Sequence, residues 1–141
     1  MRSLSFPDIN VWLALATSEH VHAQIARRWW DEEEGSIAFC RQSQLGFLRL
    51  VTTAAAMDNR PLTITQAWNV YDRFFEDDRV AFVAEPRDVE TLFRKKAAGR
   101  MASPKVWADA WLLAMADAAG GKLVTFDKAL AGRGAICLLT M

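Results

Sequence analysis

The sequence carries no excess of charge: its 17 basic and 17 acidic residues cancel to a formal net charge of 0 over 141 residues. A freestanding nucleic-acid binder draws much of its affinity from Lys and Arg set against phosphates. The balance therefore argues against tight autonomous RNA binding, but not against a nuclease whose metal and local basic groups meet the phosphates. Cysteine is scarce. Cys40 and Cys137 lie far apart without any C-x-x-C pair, which removes zinc and dithiol motifs and reads as two buried thiols in a reducing compartment. Long apolar runs are missing as well. The opening MRSLSFPDINVWLALA has the Arg and apolar stretch of a secretion signal, yet Asp8 and Asn10 break its front and no run approaches membrane-spanning length. A cytoplasmic location is the expectation. There is no linker, repeat or low-complexity tract.

What is present is an apolar, aromatic chain: 52% hydrophobic, with 6 Trp and 8 Phe. Such a composition excludes disorder, and the length suits one domain over residues 1–141. RSLSF (2–6) reads as a first strand, turned by Pro7–Asp8 into a helix over 9–16. A second helix spans 21–34, with Ile25 and Trp29 on one face and the acidic run 31–34 at its exposed end. Gly35 stops it, and SIAFC (36–40) is a second strand. Ser43 is the expected cap of a third helix with Leu45, Leu48 and Thr52 on one face, flanked by Phe47 and Leu50. A loop over 58–61 leads to a helix over 65–75, a strand over 79–85, and a helix over 87–98 opened by Pro86 and closed by Gly99. Ser103–Pro104 carries the clearest helix start, a hydroxyl cap followed by a proline that loses no hydrogen bond. That helix runs to Ala119 and is stopped by Gly120–Gly121. KLVTF (122–126), a helical turn over 127–130 and a last strand over 135–140 complete the chain. Strands separated by helices, with apolar rather than alternating sequences, predict an α/β fold with a central, mainly parallel sheet.

Acidic residues stand at the ends of these elements. Asp8 follows the first strand and Asp127 the strand at 122–126, and sites of open α/β sheets gather outside the carboxyl ends of strands. Asp109 lies within VWADAWLLAMA, an otherwise apolar helix beyond Lys105, where a lone carboxylate is costly to bury. Two readings stand for each acid. In one, Asp8, Asp109 and Asp127 share Mg²⁺ or Mn²⁺, hard cations that favour oxygen ligands and engage substrate phosphate. In the other, Asp8 and Asp127 cap the helices that follow them, and Asp109 pairs with Lys105 one turn earlier. Asp117 reads as exposed near the helix end. Asn10 reads as a local hydrogen-bonding residue, by way of the helix cap, the Asp8 carboxylate or a metal-bound water. Thr125 points to the same face as Asp127 by strand alternation, either orienting a ligand or packing in the sheet. His20 and His22, two residues apart, do not share a helical face, and no other ligand completes a zinc pattern. They read as capping or packing residues. No nucleophile is placed for histidine-based covalent hydrolysis.

The segments FPDINVWLALA, CRQSQLGFLRLVT, WADAWLLAMA and KLVTFDKAL, spread over nearly the whole chain, resemble the PIN-domain toxin family often called VapC. The most specific part is D-A-x-L-x-A-x-A followed by L-V-T-F-D. The resemblance implies a three-layer α/β/α domain, a homodimer, and Mg²⁺- or Mn²⁺-dependent cleavage of a structured RNA such as tRNA or rRNA. It also implies a cognate protein antitoxin. Carried onto this sequence, Asp8, Asp109 and Asp127 correspond to the family's metal-site acids. The family's further acid, a Glu opening the central helix, falls at Gln44, an amide that accepts hydrogen bonds but brings neither a carboxylate charge nor ordinary base chemistry.

The reaction so implied is hydrolysis of an RNA phosphodiester, with Asp8, Asp109 and Asp127 positioning metal and water and with Gln44, Asn10 and Thr125 as further polar members of the site. Arg41, Arg49, Arg60 and Lys128 are candidates either for phosphate contact or for plain surface solubility. Trp29, Trp30, Trp68 and Phe75 are candidates for partner, dimer or core packing. Two other classes stand beside the nuclease: a catalytically silent PIN-like protein-binding module that has lost an acid, and a metal-dependent phosphatase acting on a small molecule, which calls for a closed pocket rather than an open groove.

Overall fold

The structure is a computed structural model and describes residues 3–140. Five strands, β1 (Leu4–Pro7), β2 (Ser36–Phe39), β3 (Val80–Phe82), β4 (Lys122–Thr125) and β5 (Ile136–Cys137), form one sheet in the order β3-β2-β1-β4-β5, every pairing parallel. Between them run α1 (Ile9–Ala16), α2 (Ala23–Glu32), α3 (Arg41–Val51), α4 (Ile64–Phe74), α5 (Val89–Ala97), α6 (Val106–Ala118) and the short α7 (Lys128–Ala131). All the strands point the same way, so their carboxyl ends make one edge from which α1, α3 and α7 depart.

Strand alternation sorts the sheet residues into two cores. Ile37, Phe39 and Val124 face a layer that includes Val11, Trp12, Phe47 and Tyr71. Phe6, Ala38 and Leu123 face the other side, against Leu112, Leu113 and Met115 of α6. Helices thus cover both faces, the expected three-layer α/β/α arrangement. Both cysteines are buried and free. No helix among the described residues is long and apolar enough to cross a membrane.

Several boundaries differ from the sequence expectation. The first strand begins at Leu4, and Arg2 of the expected segment lies outside the described residues. The helix expected from Ser103–Pro104 starts at Val106; Ser103 instead accepts the Val106 N–H through its backbone carbonyl in a preceding turn, and Lys105 is the cap residue, without a side-chain cap. Ser43 is not the cap of α3 but its third residue. Its hydroxyl accepts the Cys40 N–H at 3.0 Å, the return half of a capping box. The buried face of α3 is Gly46, Phe47 and Val51, with Leu45 60% exposed. Gly46 is needed there because a Cβ would sit 2.1 Å from Ile9 Cδ1 of α1. The last strand holds only two residues before a 3₁₀ turn over Leu138–Thr140. It is an edge strand with a single neighbour, so little ladder bonding extends it.

The end of α6 follows its sequence signal closely. Gly120 takes φ +77°, its N–H donates to Asp117 O at 3.1 Å, and the Gly121 N–H donates to Ala116 O at 2.8 Å. Both orphan carbonyls are thereby satisfied in the double-bonded stop that glycine permits. Asp117 is exposed and pairs with Lys96 of α5 at 2.8 Å.

The opposite end of α2 is closed by a distant arginine. Arg79 Nη1 donates to Trp30 O and Glu33 O, each at 2.6 Å, and its guanidinium lies 4.7 Å from the Trp30 ring centre. Asp77 holds it through a forked pair at 2.7 and 3.0 Å. The hydrogen bonds from Arg79 hold the Asp77 carboxyl below its ordinary value. A lowered folded-state pKa stabilises above the unfolded value and is lost as pH falls through the folded one. Asp77→Asn is therefore expected to cost about 1 kcal/mol in urea unfolding at pH 7. The difference from wild type should shrink as pH drops below about 3.9. An equal deficit at pH 2.5 and 7 would refute this.

Candidate active site at the carboxyl edge of the sheet

The acids at this edge are tied into the backbone by the elements they follow. The Asp8 N–H donates to Val124 O at 2.9 Å, fixing the end of β1 to β4. Asp8 is also the cap of α1, Oδ1 accepting the Val11 N–H at 3.0 Å. Its Oδ2 accepts from Thr125 Oγ1 at 2.5 Å. The same fully buried threonine hydroxyl accepts the Asp127 N–H at 3.0 Å. Thr125 therefore brackets the two acids, one across the β1–β4 ladder and one just beyond its own strand. Asp127 caps α7 through Oδ1 and the Ala129 N–H at 2.9 Å, and its Oδ2 lies 3.3 Å from Lys105 Nζ. Capping is thus real for both acids. It leaves each carboxylate with free lone pairs, since its oxygens offer about four acceptor sites.

Asp109 projects from the first turn of α6. Burial pushes its carboxyl up, Lys105 opposes this, Asp127 adds to the rise, and Arg133 opposes again. Asp8 is pushed up chiefly by burial and further by Asp109, against the hydrogen bonds from Thr125, Val11 and Asn10. Asp109 thus interacts electrostatically with both other acids, and the three share one field. Two basic groups answer them. Lys105, the expected partner of Asp109, places its ammonium on Asp127 instead, and Arg133 faces Asp109 while donating to Lys96 O. Arg133 was not a sequence candidate; its place by the acids depends on the turn after α7, which no local pattern announces.

The remaining candidates separate. Asn10 is exposed and acts on Asp8 through its backbone N–H. Gln44 is buried, but its amide oxygen accepts from Arg41 Nη1 at 2.6 Å and its side chain meets the Tyr71 hydroxyl. It thus joins a neighbouring polar cluster rather than the acids. Arg49, Arg60 and Lys128 are exposed. His20 and His22 pack on Phe126, ring centres 5.8 and 4.7 Å away, which gives them the packing role expected of them. Of the aromatic surface candidates, Trp68 is 43% exposed, whereas Trp29, Trp30 and Phe75 lie partly buried against the core.

The donor set suits a hard divalent cation. It is all carboxylate oxygen, each of Asp8 and Asp127 is oriented by a hydrogen bond on its outer side, and the repulsion within the group is what a cation relieves. Among the described residues, no three such side chains stand close enough to enclose an ion directly.

The PIN domain family matches residues 5–134. Ribonuclease VapC41 of Mycobacterium tuberculosis is 43% identical over 135 residues, which covers 92% of this chain and 92% of the relative. Ribonuclease VapC44 of the same organism is 32% identical over 128 residues, covering 88% and 86%. The crystal structure of Mycobacterium tuberculosis VapC20, described as a Sarcin-Ricin loop cleaving toxin, superposes with a TM-score of 0.68 over 94% of this chain and 96% of that one. At 15% identity, that likeness concerns the fold. By its matched length, its sequence relatives and its parallel three-layer sheet, this chain belongs to the PIN-domain family, within the VapC group.

Proposed function

We propose that the chain is a metal-dependent endoribonuclease toxin that hydrolyses phosphodiester bonds of a structured RNA, with tRNA or rRNA as the substrate class. The observation that carries this reading is the Thr125 bracket between Asp8 and Asp127, with Asp109 sharing their field at the carboxyl edge. Kinship with proteins named ribonucleases supports it. Asp8, Asp109 and Asp127 would hold Mg²⁺ or Mn²⁺. Bound there, the ion supplies positive charge against the developing phosphoryl oxyanion and a more acidic water. Thr125 fixes the rotamer of Asp8, so its carboxylate meets substrate without reorganising. Lys105 and Arg133 offer positive charge to the flanking phosphates once the acids are otherwise neutralised.

The partner under this reading is a cognate antitoxin, and the chain is a homodimer in the cytoplasm. An antitoxin segment has a landing place in the roughly 720 Å³ groove between α1 and α2, where Leu15 and Ala23 lie among Arg27, Arg28, Asp31 and Glu32. Apolar floor and charged walls of both signs suit an amphipathic segment.

Antitoxin-free protein incubated with a structured RNA pool is expected to give discrete cuts with Mg²⁺ or Mn²⁺ and none with excess chelator. The same ions should raise the melting temperature, by mass action on the folded state. Intact RNA from folded protein that binds the ions would move the reading to a silent protein-binding module.

A further inference from the structure

On the same edge, beyond β2, lies a shallow, open recess whose lining is largely aromatic with a few polar groups. Its volume is about 380 Å³ and its walls are Arg41, Gln44, Tyr71, Asp72, Phe75 and Phe82. Phe82 ends the edge strand β3 and is 37% exposed although its ladder partner Phe39 is fully buried. The Arg41 guanidinium sits 4.9 Å from the Phe82 ring centre and donates to Gln44 Oε1 at 2.6 Å. Gln44 in turn meets the hydroxyl of buried Tyr71. The arginine thus lies over one side of a partly exposed aromatic ring and is held by a buried amide, with a phenol in the same recess.

This recess combines features that act together on one kind of ligand. The aromatic face and the planar cation favour stacking of a flat π-system. The hydroxyl, the amide and the Asp72 carboxylate present both donors and acceptors, the mixture that a base edge offers in return. A carboxylate at the rim makes the recess poor for a bare phosphate, while Arg41 remains free on its other donors for a phosphate passing outside. Position agrees with chemistry. β3 lies two strands from β1, about 10 Å at the usual strand spacing. A strand crossing the carboxyl edge at the acids therefore meets this recess with a neighbouring nucleotide.

We infer that Arg41, Phe82, Tyr71 and Gln44 form a subsite for one unpaired RNA base flanking the scissile phosphate, with Phe82 as the stacking platform. The inference rests on the nuclease reading for the identity of the polymer. It also gives Gln44 a role distinct from the family's acid at that position: a neutral amide that orients Arg41.

The test is binding without cleavage. A fluorescein-labelled eight-nucleotide unstructured RNA of mixed sequence is titrated in chelator at low salt and followed by anisotropy. Phe82→Ala is expected to weaken binding about 10-fold, Phe82→Trp to retain it, and Arg41→Gln to weaken it and flatten the salt dependence by about 0.7 in log–log slope. Circular dichroism melts establish that each variant is folded. No binding by wild type, or equal binding by wild type, Phe82→Ala and Arg41→Gln, overturns the subsite. So does a change confined to the oligomeric state on light scattering, which would make this face a contact between copies of the chain. Cleavage with Mg²⁺ is scored separately on wild type. Cuts with Phe82-independent binding sink the subsite alone, and Phe82-dependent binding without cuts sinks the nuclease alone.

Discussion

Asp8→Asn is expected to lower metal-dependent RNA cleavage by at least about 100-fold while leaving the metal-free protein as stable as wild type or more so. Under the proposed function the two effects have opposite sign, because the carboxylate would serve the chemistry while burial disfavours its charge. An asparagine is nearly isosteric: its oxygen can still accept the Val11 N–H that starts α1, and its amide can donate to the Thr125 hydroxyl, which now accepts. The local structure survives. The negative charge does not, and that charge is disfavoured in the apo fold by burial and by Asp109. Without it, two acids remain to hold a divalent ion. The thermal shift on adding Mg²⁺ or Mn²⁺ should therefore shrink together with the cleavage rate. Melting in chelator, melting with metal and initial cleavage rates on one RNA, measured on wild type and variant, separate the terms. A variant that melts well below wild type in chelator would mean that Asp8 is chiefly structural. Undiminished cleavage would remove Asp8 from the site.

Asp8 and Asp127 were legible because each stands where a strand pattern ends, and Asp109 because it interrupts an apolar helix. PDINVW and TFDKAL place a carboxylate between an apolar run and a helix, and the parallel topology that brings two such ends together follows from the alternation of elements. Their capping and functional readings are not rivals in the structure, because a carboxylate uses only part of its acceptor capacity on the helix start. Other features lay beyond local pattern. The Thr125 bracket joins residues 117 positions apart in sequence, so strand alternation gave its direction but not its partner across the ladder. Helical spacing offers Lys105 to Asp109 as one of two readings of that acid. The ammonium reaches Asp127 instead, because α6 begins later than the Ser–Pro signal implied and Lys105 is its cap residue. The resemblance puts Gln44 with the acids, whereas its observed hydrogen bond is from Arg41 and it lines one recess with Tyr71 of α4, whose seating against α3 no sequence window contains. Even the buried face of α3 includes Gly46, which offers no side chain to a hydrophobicity pattern and lies against the Ile9 side chain of α1.

Trp12→Ala is expected to cost about 3–5 kcal/mol, a large share of the roughly 5–15 kcal/mol that holds a domain together. Trp12 is fully buried in the layer between α1 and the sheet, stacked on Phe39 at 3.7 Å between ring centres, with Phe74 at 4.9 Å and Trp30 at 6.2 Å meeting it edge-on. Removing the indole empties the middle of this aromatic group, and the surrounding rings belong to a strand and two other helices that cannot all close in. Trp12→Phe should behave quite differently. It keeps a ring on Phe39 and deletes an indole N–H that finds no acceptor among the described residues. A buried donor without a partner costs about 1–3 kcal/mol, so its loss offsets much of the smaller cavity, and the net cost should stay below about 1.5 kcal/mol. Urea unfolding of the three proteins decides this. A Phe variant as unstable as the Ala variant would mean that the N–H is satisfied or that shape alone governs the site. The same series bears on the active edge, because the backbone N–H of Trp12 donates to the backbone carbonyl of Asp8 at 3.1 Å in the first turn of α1, so the seating of the indole anchors the turn that carries Asp8. A loosened α1 should carry Asp8 with it, so Trp12→Ala, studied cold where it remains folded, should also bind Mn²⁺ more weakly than Trp12→Phe.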